Sequence, residues 1–248
     1  MIFASPLKAY QVDSLTKRWA AVLLLLLVWG VSFWFFYSPP GDPDFSQYIY
    51  WTEDLMEAED YYAAYEATPV TSVLTWGNAL YAVSFFGYCF LLYLIGLFYF
   101  VLYVCDLRQV KLSHAPKIYF TRIWWIILFT LLASMPFLVT LAMMPPILIF
   151  LIPALYALPG LVLFEKKDAF TSSWASAVKT HGHKLSIIIE VTAILLLWYL
   201  LSGITGAILH NGSIGFCLVK SFITAYFTLV LARNMGLRYH MITILEQE

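Results

Sequence analysis

Long apolar stretches, separated by short polar segments, fill most of the chain from residue 19 onwards. A helix needs about 20 mainly apolar residues to cross the hydrocarbon core of a bilayer. Continuous apolar runs without strict alternation favour helices over a β-barrel. The pattern therefore predicts an all-α, polytopic helical bundle, with 1–248 as a single transmembrane domain. About six transmembrane helices are expected, at 19–37, 72–104, 120–143, 147–164, 185–209 and 214–232.

Two of the expected helices depart from a simple crossing. The apolar segment 72–104 is longer than one bilayer thickness, so its helix must tilt or project beyond the membrane. The segment 147–164 contains Pro153 and Pro159, and each proline removes a backbone donor and kinks a helix. We expect a bent helix here, or two half-helices that do not fully cross. Only the stretch 143–146 separates it from the preceding helix, which predicts a tight hairpin.

The segment 168–184 has the pattern of an amphipathic helix lying at the membrane interface. Phe170, Trp174 and Val178 recur at helical spacing, and serine and lysine side chains occupy the other faces. Asp168 is a suitable N-cap. This helix is expected on the cytoplasmic side of the membrane.

The loop 38–71 is the most distinctive segment outside the apolar runs, because it is acidic and contains no basic residue. Its apolar side chains recur at spacings of three, four and seven, which predicts an amphipathic helix along the outer face. Three interpretations remain open: partner docking, a weak cation site, or a solvated acidic loop. The EF-hand pattern is absent. The candidates for partner docking are Glu53, Asp54, Glu57 and Asp60.

The distribution of charge predicts the orientation. All but one of the 14 Lys and Arg residues lie in segments that would share one side of the membrane, and the exception, Lys220, lies within an apolar run. The positive-inside rule then places both termini in the cytoplasm and the acidic loop outside. The net charge of −1 provides no basic field that would attract nucleic acid.

Two ionisable residues within apolar runs, Glu190 and Lys220, are intramembrane polar candidates, because charge in a membrane is expensive and usually functional. They enter from opposite faces, each roughly 8–10 Å deep, so no direct ion pair is expected. Glu190 is expected either to contact Lys184 or a neighbouring helix, and Lys220 to snorkel outwards. Alternatively, both line a polar crevice with hydroxyl side chains, namely Ser202, Thr205, Ser221 and Thr224.

A compact basic cluster lies between two of the expected helices and consists of Lys179, His181, His183 and Lys184. Anionic lipid headgroups would attract it, and partner docking is the alternative. The two histidines alone do not make a metal site. No Walker, G-x-S-x-G, H-E-x-x-H or CxxC motif occurs, so the sequence predicts no cofactor, metal or catalytic residue.

Several loose motifs in the second half of the chain occur together. A proline-rich hairpin is followed by a charged end at 165–167, and a surface helix carries Phe170, Ser173 and Trp174. Further on, the last apolar run leads into an arginine-containing tail. In these features, residues 120–245 resemble bacterial integral-membrane families related to the membrane domain of glycerophosphodiester phosphodiesterase. The resemblance implies a six-helix fold in a bacterial plasma (inner) membrane. The soluble catalytic domain of such enzymes has no counterpart here, so hydrolase activity is not carried over.

The sequence leaves three functional hypotheses. The first is a non-catalytic subunit or scaffold of a membrane complex, whose partners are membrane lipids and other membrane or extracytoplasmic proteins. The second is a permease subunit of an ABC-type exporter, which would meet a cytoplasmic ATPase subunit through the loop 105–118. The third is a membrane-embedded lipid-modifying enzyme, which would need a cluster of polar groups at one depth that the sequence does not show.

Overall fold

The computed structural model describes residues 6–143 and 148–245, and every regular element in these ranges is helical. The all-α prediction is thus confirmed. Short 3-10 helices occur at Pro6–Tyr10 and Leu112–His114. The α-helices are α1 Arg18–Tyr37, α2 Ser46–Glu57, α3 Tyr61–Ala67, α4 Val70–Val73, α5 Trp76–Leu107, α6 Ala115–Met143, α7 Leu148–Leu155, α8 Leu158–Phe164, α9 Ala169–Lys179, α10 Lys184–Ile208 and α11 Ile214–Leu245.

Five helices in the described ranges are long and apolar enough to cross a membrane, namely α1, α5, α6, α10 and α11. Such a set is typical of a multi-pass membrane protein. The remaining expected crossing corresponds to a shorter apolar stretch, Phe150–Phe164. There the chain forms two short helices, with Pro153 inside α7 and Pro159 in the first turn of α8. The apolar stretch is therefore divided into two helices, and its crossing of the membrane, the sixth of the expected set, stays a prediction. The hairpin turn expected at 143–146 falls largely on residues outside the described ranges.

Two helices, α6 and α11, differ most from their expected bounds. The sequence placed a helix start at 120, whereas α6 begins at Ala115, with Pro116 in its first turn, where the fixed φ of proline favours a helix. The expected end of the last helix at 232 was wrong, since α11 continues to Leu245. The polar tail is helical because Tyr239 and Ile242 are buried in the bundle.

α11 is the central helix of the bundle and packs along α1, α5 and α10. Its core contacts include Leu229 and Tyr239 on α11 and Tyr99 and Phe100 on α5, all of which are buried. Close approach of α5 and α11 depends on small residues. An added Cβ on Gly236 would lie 2.8 Å from the Tyr103 ring. The polar end of α11 is therefore held inside the structure.

The chain before α1 lies across this end of the bundle. The 3-10 helix Pro6–Tyr10 packs against α11. Tyr99 Oη donates a 2.7 Å hydrogen bond to the Val12 carbonyl, and Tyr226 Oη donates one of 2.8 Å to the Tyr10 carbonyl. Tyr99 is buried and Tyr226 is half-buried, and hydroxyls taken out of water need such partners, so these bonds fix the N-terminal segment to α5 and α11.

The expected interfacial helix is shorter than predicted. α9 covers Ala169–Lys179, and α10 begins at Lys184 after a turn. The Asp168 carboxylate caps α9 by accepting hydrogen bonds from the Thr171 hydroxyl and backbone N–H, and these bonds lower the pKa of Asp168. Phe170 and Trp174 are exposed, which suits a helix that faces lipid headgroups.

Candidate functional site

The acidic loop folds into a small lobe, here called the acidic lobe (residues 41–75), which contains three helices where one was expected. The side-chain amide of Asn78 contributes two of the hydrogen bonds that anchor it to α5. Asn78 Nδ2 donates to the carbonyls of Asp42 at 3.1 Å and Asp44 at 2.7 Å. Asn78 also completes a capping box with Thr75 at the start of α5. Because Asn78 is buried, these bonds are shielded from water and hold the lobe at the end of α5.

A glycine makes this attachment possible. Gly41 has φ +86°, and an added Cβ would overlap the Gly77 carbonyl and lie 2.5 Å from the Tyr81 backbone nitrogen. Only glycine adopts this conformation without cost. Asp42 N–H bonds to the Gly77 carbonyl at 2.9 Å, so the two backbones are in direct contact. The lobe is therefore part of the folded bundle and not a loose connection.

The lobe also has internal order. Trp51 on α2 donates from Nε1 to the Thr68 carbonyl at 2.8 Å, and its ring lies 6.0 Å from that of Tyr65 on α3. Leu55 on α2 is buried. These contacts fold α2 back on α3 and α4, and so they fix the relative positions of the side chains on the outer surface of the lobe.

The four docking candidates lie on this lobe and are all exposed. Across residues 6–143 and 148–245, no basic side chain forms an ion pair with any of them. Asp60 has a second role, because its carboxylate accepts from the backbone N–H groups of Tyr62 and Ala63 and caps α3. Glu53 and Glu57 are one helical turn apart on α2, so their charges project from one face.

Exposed apolar side chains accompany these carboxylates. Met56 is 85% exposed and Tyr62 is 80% exposed. Beside them, an open cleft of about 530 Å³ lies between α2 and the α3–α4 segment, and its lining includes Tyr50, Trp51 and Asp54. Aromatic residues and methionine are enriched in the cores of protein–protein interfaces relative to the rest of the protein surface. The lobe therefore presents charge and apolar anchors together.

Glu190 does not meet Lys220. It is buried between α10 and α11, where Arg238 Nε donates to its Oε2 at 2.8 Å and Arg238 Nη2 bonds to its Oε1. Asn234 Nδ2 donates to the same Oε2 at 2.9 Å. Tyr156 Oη in turn donates to Asn234 Oδ1 at 2.5 Å. Of the two contacts expected for Glu190, the structure shows the one with a neighbouring helix.

Lys220 lies near the other end of α11 in an aromatic setting. Its ammonium is 4.8 Å from the centroid of the Phe36 ring and 5.1 Å from that of Phe216. Such cation–π contacts stabilise a cation away from bulk water. α1 and α11 are joined here a second time, because Trp29 Nε1 donates to the Leu218 carbonyl at 3.1 Å. Lys220 thus links α1 to α11.

The hydroxyl groups proposed to line a crevice bond mostly to their own helices. Thr205 Oγ1 donates to the Leu201 carbonyl at 2.8 Å, and Thr224 Oγ1 to the Lys220 carbonyl at 2.9 Å. Ser221 donates in the same way within α11. Ser202 Oγ is buried and has no hydrogen-bond partner among the described residues. Within α10 and α11, these bonds are typical of Ser and Thr in membrane helices.

The basic cluster lies in the turn between α9 and α10. Lys179 Nζ is 3.4 Å from Glu165 Oε1, and His181 is exposed. His183 and Lys184 are half-buried at the start of α10. The described residues contain no group of three or more His, Cys, Asp or Glu side chains that could hold a metal ion. Contact with lipid headgroups stays a prediction for this cluster.

The structure buries polar residues at the end of α11 that the sequence pattern did not indicate as buried. Arg233 is buried and donates from Nε to the Lys8 carbonyl at 2.7 Å, while its guanidinium lies 4.1 Å from the Tyr103 ring centroid. Arg238 is the partner of Glu190. Both had been assigned to a cytoplasmic tail. The available signal was the absence of proline from 214 to 245, together with the one-turn spacing of Asn234 and Arg238.

No family model matches the chain, and neither a curated protein nor a solved structure matches it.

Proposed function

We propose that the protein is a non-catalytic integral-membrane subunit or scaffold of a membrane complex, and that its acidic lobe docks the partner. The observation that carries this proposal is the folded and anchored lobe, whose exposed surface combines unpaired carboxylates with Met56 and Tyr62. A protein surface with these properties suits a partner that offers basic side chains around an apolar contact. Electrostatic complementarity of this kind steers association and selects the partner.

The charge distribution supports an orientation for the proposed complex. Lys and Arg are absent from 41–75, whereas the opposite ends of α5, α6 and α11 carry arginines such as Arg108, Arg122 and Arg238. Under the positive-inside rule, both termini face the cytoplasm and the lobe faces outwards. The resemblance to bacterial families favours a bacterial plasma membrane. The partner is then a protein outside the membrane or one with an extracytoplasmic part.

Site-specific photocrosslinking in native membranes tests the docking surface. A photoreactive residue replaces Met56 in the lobe or Gln109 in the exposed turn after α5. We expect a protein adduct from position 56. An adduct from position 109 alone would contradict docking at the lobe and would favour a permease that meets a cytoplasmic ATPase there.

A matched pair of variants tests the chemistry of docking. Glu53→Gln with Glu57→Gln removes two charges from α2, and Glu59→Gln with Glu66→Gln removes two from elsewhere in the lobe. Exposed charge pairs contribute little individually, so the first variant is expected to weaken the position-56 adduct by about twofold to thirtyfold in a partner titration. The second should have a smaller effect. Equal effects would show that α2 is not the contact surface.

A further inference from the structure

Two adjoining pockets, here together called the cavity, lie between α1, α5 and the start of α6, away from the acidic lobe. Its inner part is a trough of about 480 Å³ with mainly apolar walls, formed in part by Leu23, Leu24, Phe98 and Leu102. Its mouth is a polar pocket of about 290 Å³. Both parts share Lys17, Leu112 and Ser113. The cavity therefore changes from polar to apolar along its length.

The mouth carries a net positive charge, because its lining has two lysines and one carboxylate. Lys17 and Lys111 line it and are both exposed, and the ion pairs found in the described ranges involve neither. The acidic group in the pocket, Asp106, accepts from the Thr16 backbone N–H at 3.3 and 3.4 Å. In addition, α1 begins at this mouth without a side-chain cap, so its N-terminal partial charge favours an anion.

The cavity follows the direction of a bilayer lipid. α1 is long and apolar enough to cross the membrane, and Leu24 lies about 9 Å further along it than its first residue, Arg18. Trp19, at the same end, is exposed, as expected for an aromatic residue at headgroup level. The polar mouth is thus at the headgroups, and the trough descends into the hydrocarbon.

We infer that this cavity binds an anionic phospholipid, with one acyl chain in the trough and the phosphate between Lys17 and Lys111. The apolar walls match the chain, and the two lysines match the headgroup. A zwitterionic lipid also carries a positive group in its headgroup, so its electrostatic attraction to the two lysines is weaker than that of an anionic lipid. A soluble phosphate leaves the trough unfilled. The site is separate from the basic cluster at Lys179–Lys184, which lies between α9 and α10.

Native mass spectrometry of the full chain in mild detergent tests the inference. The probes are phosphatidylglycerol, phosphatidylcholine of the same chain length, the matching diacylglycerol, and glycerol 3-phosphate. Phosphatidylglycerol should bind most tightly. Lys17→Gln with Lys111→Gln should weaken it about thirtyfold, since each basic residue near a membrane surface contributes about fivefold. Binding of diacylglycerol should not change.

The control replaces two exposed lysines that do not line the cavity, by Lys8→Gln with Lys166→Gln, and should leave binding within about twofold. A third variant, Ala20→Phe, fills the trough and should weaken phosphatidylglycerol and diacylglycerol alike. Equal binding of the two phospholipids, or equal loss in both lysine variants, would overturn the inference. Glycerol 3-phosphate binding as tightly as phosphatidylglycerol would show a phosphate site without a lipid role.

Discussion

Replacing Glu190 with leucine is expected to lower the free energy of unfolding by about 3–5 kcal/mol, because the change leaves the Arg238 guanidinium buried without its counter-ion. The side chains of Glu190 and Arg238 are only 9% and 4% exposed, so water cannot replace the lost carboxylate. Asn234 would lose its acceptor as well. Reversible unfolding in mixed detergent micelles measures the effect.

The double variant Glu190→Leu with Arg238→Met provides the control. A buried ion pair can be replaced by apolar residues of similar volume with little loss of stability, so the double variant should recover most of the stability that Glu190→Leu loses. A Glu190→Leu protein as stable as the wild type would contradict the structural role. Such a result would favour the alternative prediction from the sequence, in which Glu190 lines a polar crevice. In that case, replacing Glu190 would impair function without reducing the amount of folded protein.

Gly160→Ala is expected to destabilise the bundle by about 1–3 kcal/mol, the usual effect of overpacking a core. An added Cβ would lie 2.5 Å from Cγ of the Tyr239 ring. Tyr239 is 1% exposed and packs against Phe100 and Phe164, so it has no space to move into. The midpoint of detergent-induced unfolding should fall accordingly.

Gly203→Ala is the matched control for this substitution. Gly203 also lies within a helix, but nothing is within 4 Å of its added Cβ. Alanine favours a helix over glycine by up to about 1 kcal/mol, so this variant should be as stable as the wild type or slightly more so. A Gly160→Ala protein that behaves like Gly203→Ala would show that α8 does not pack on Tyr239 as described.

The apolar helices could be predicted because lipid imposes a strong, local rule on composition. α1 and α10 begin and end within one residue of their expected positions. α5 begins four residues after its expected start and ends three residues after its expected end. The start of α9 at an Asp168 cap was also readable from the sequence. In each case the signal lies within one short stretch of chain.

The end of α11 could not be predicted in this way, because its helix depends on contacts with distant residues. Arg233 is charged yet buried, because its guanidinium donates a hydrogen bond to the Lys8 carbonyl. These two residues are 225 positions apart in the sequence. Arg238 likewise finds Glu190 across 48 positions. A hydropathy pattern treats both arginines as solvent-exposed. Because the predicted helix ended at 232, Arg238 was not recognised as the partner of Glu190.

The acidic lobe was predicted as one helix and forms three. The interruption comes at Asp60, which caps α3, and at Pro69, which precedes α4. Both residues are turn or cap signals. The helical spacing of the apolar residues continues on both sides of them, and for that reason a single helix was predicted. The four docking candidates on the lobe are exposed, and their role in binding stays a proposal.

We propose that the acidic lobe and the arginine-rich ends of the helices lie on opposite sides of a membrane. Single cysteines at Met56 and Gln109, in a chain without its native cysteines, test it with a membrane-impermeant maleimide on intact cells. We predict labelling at position 56 in intact cells and at position 109 only after permeabilisation. Labelling of both positions in intact cells, or of neither until permeabilisation, would show that the lobe and the turn after α5 lie on the same side of the membrane.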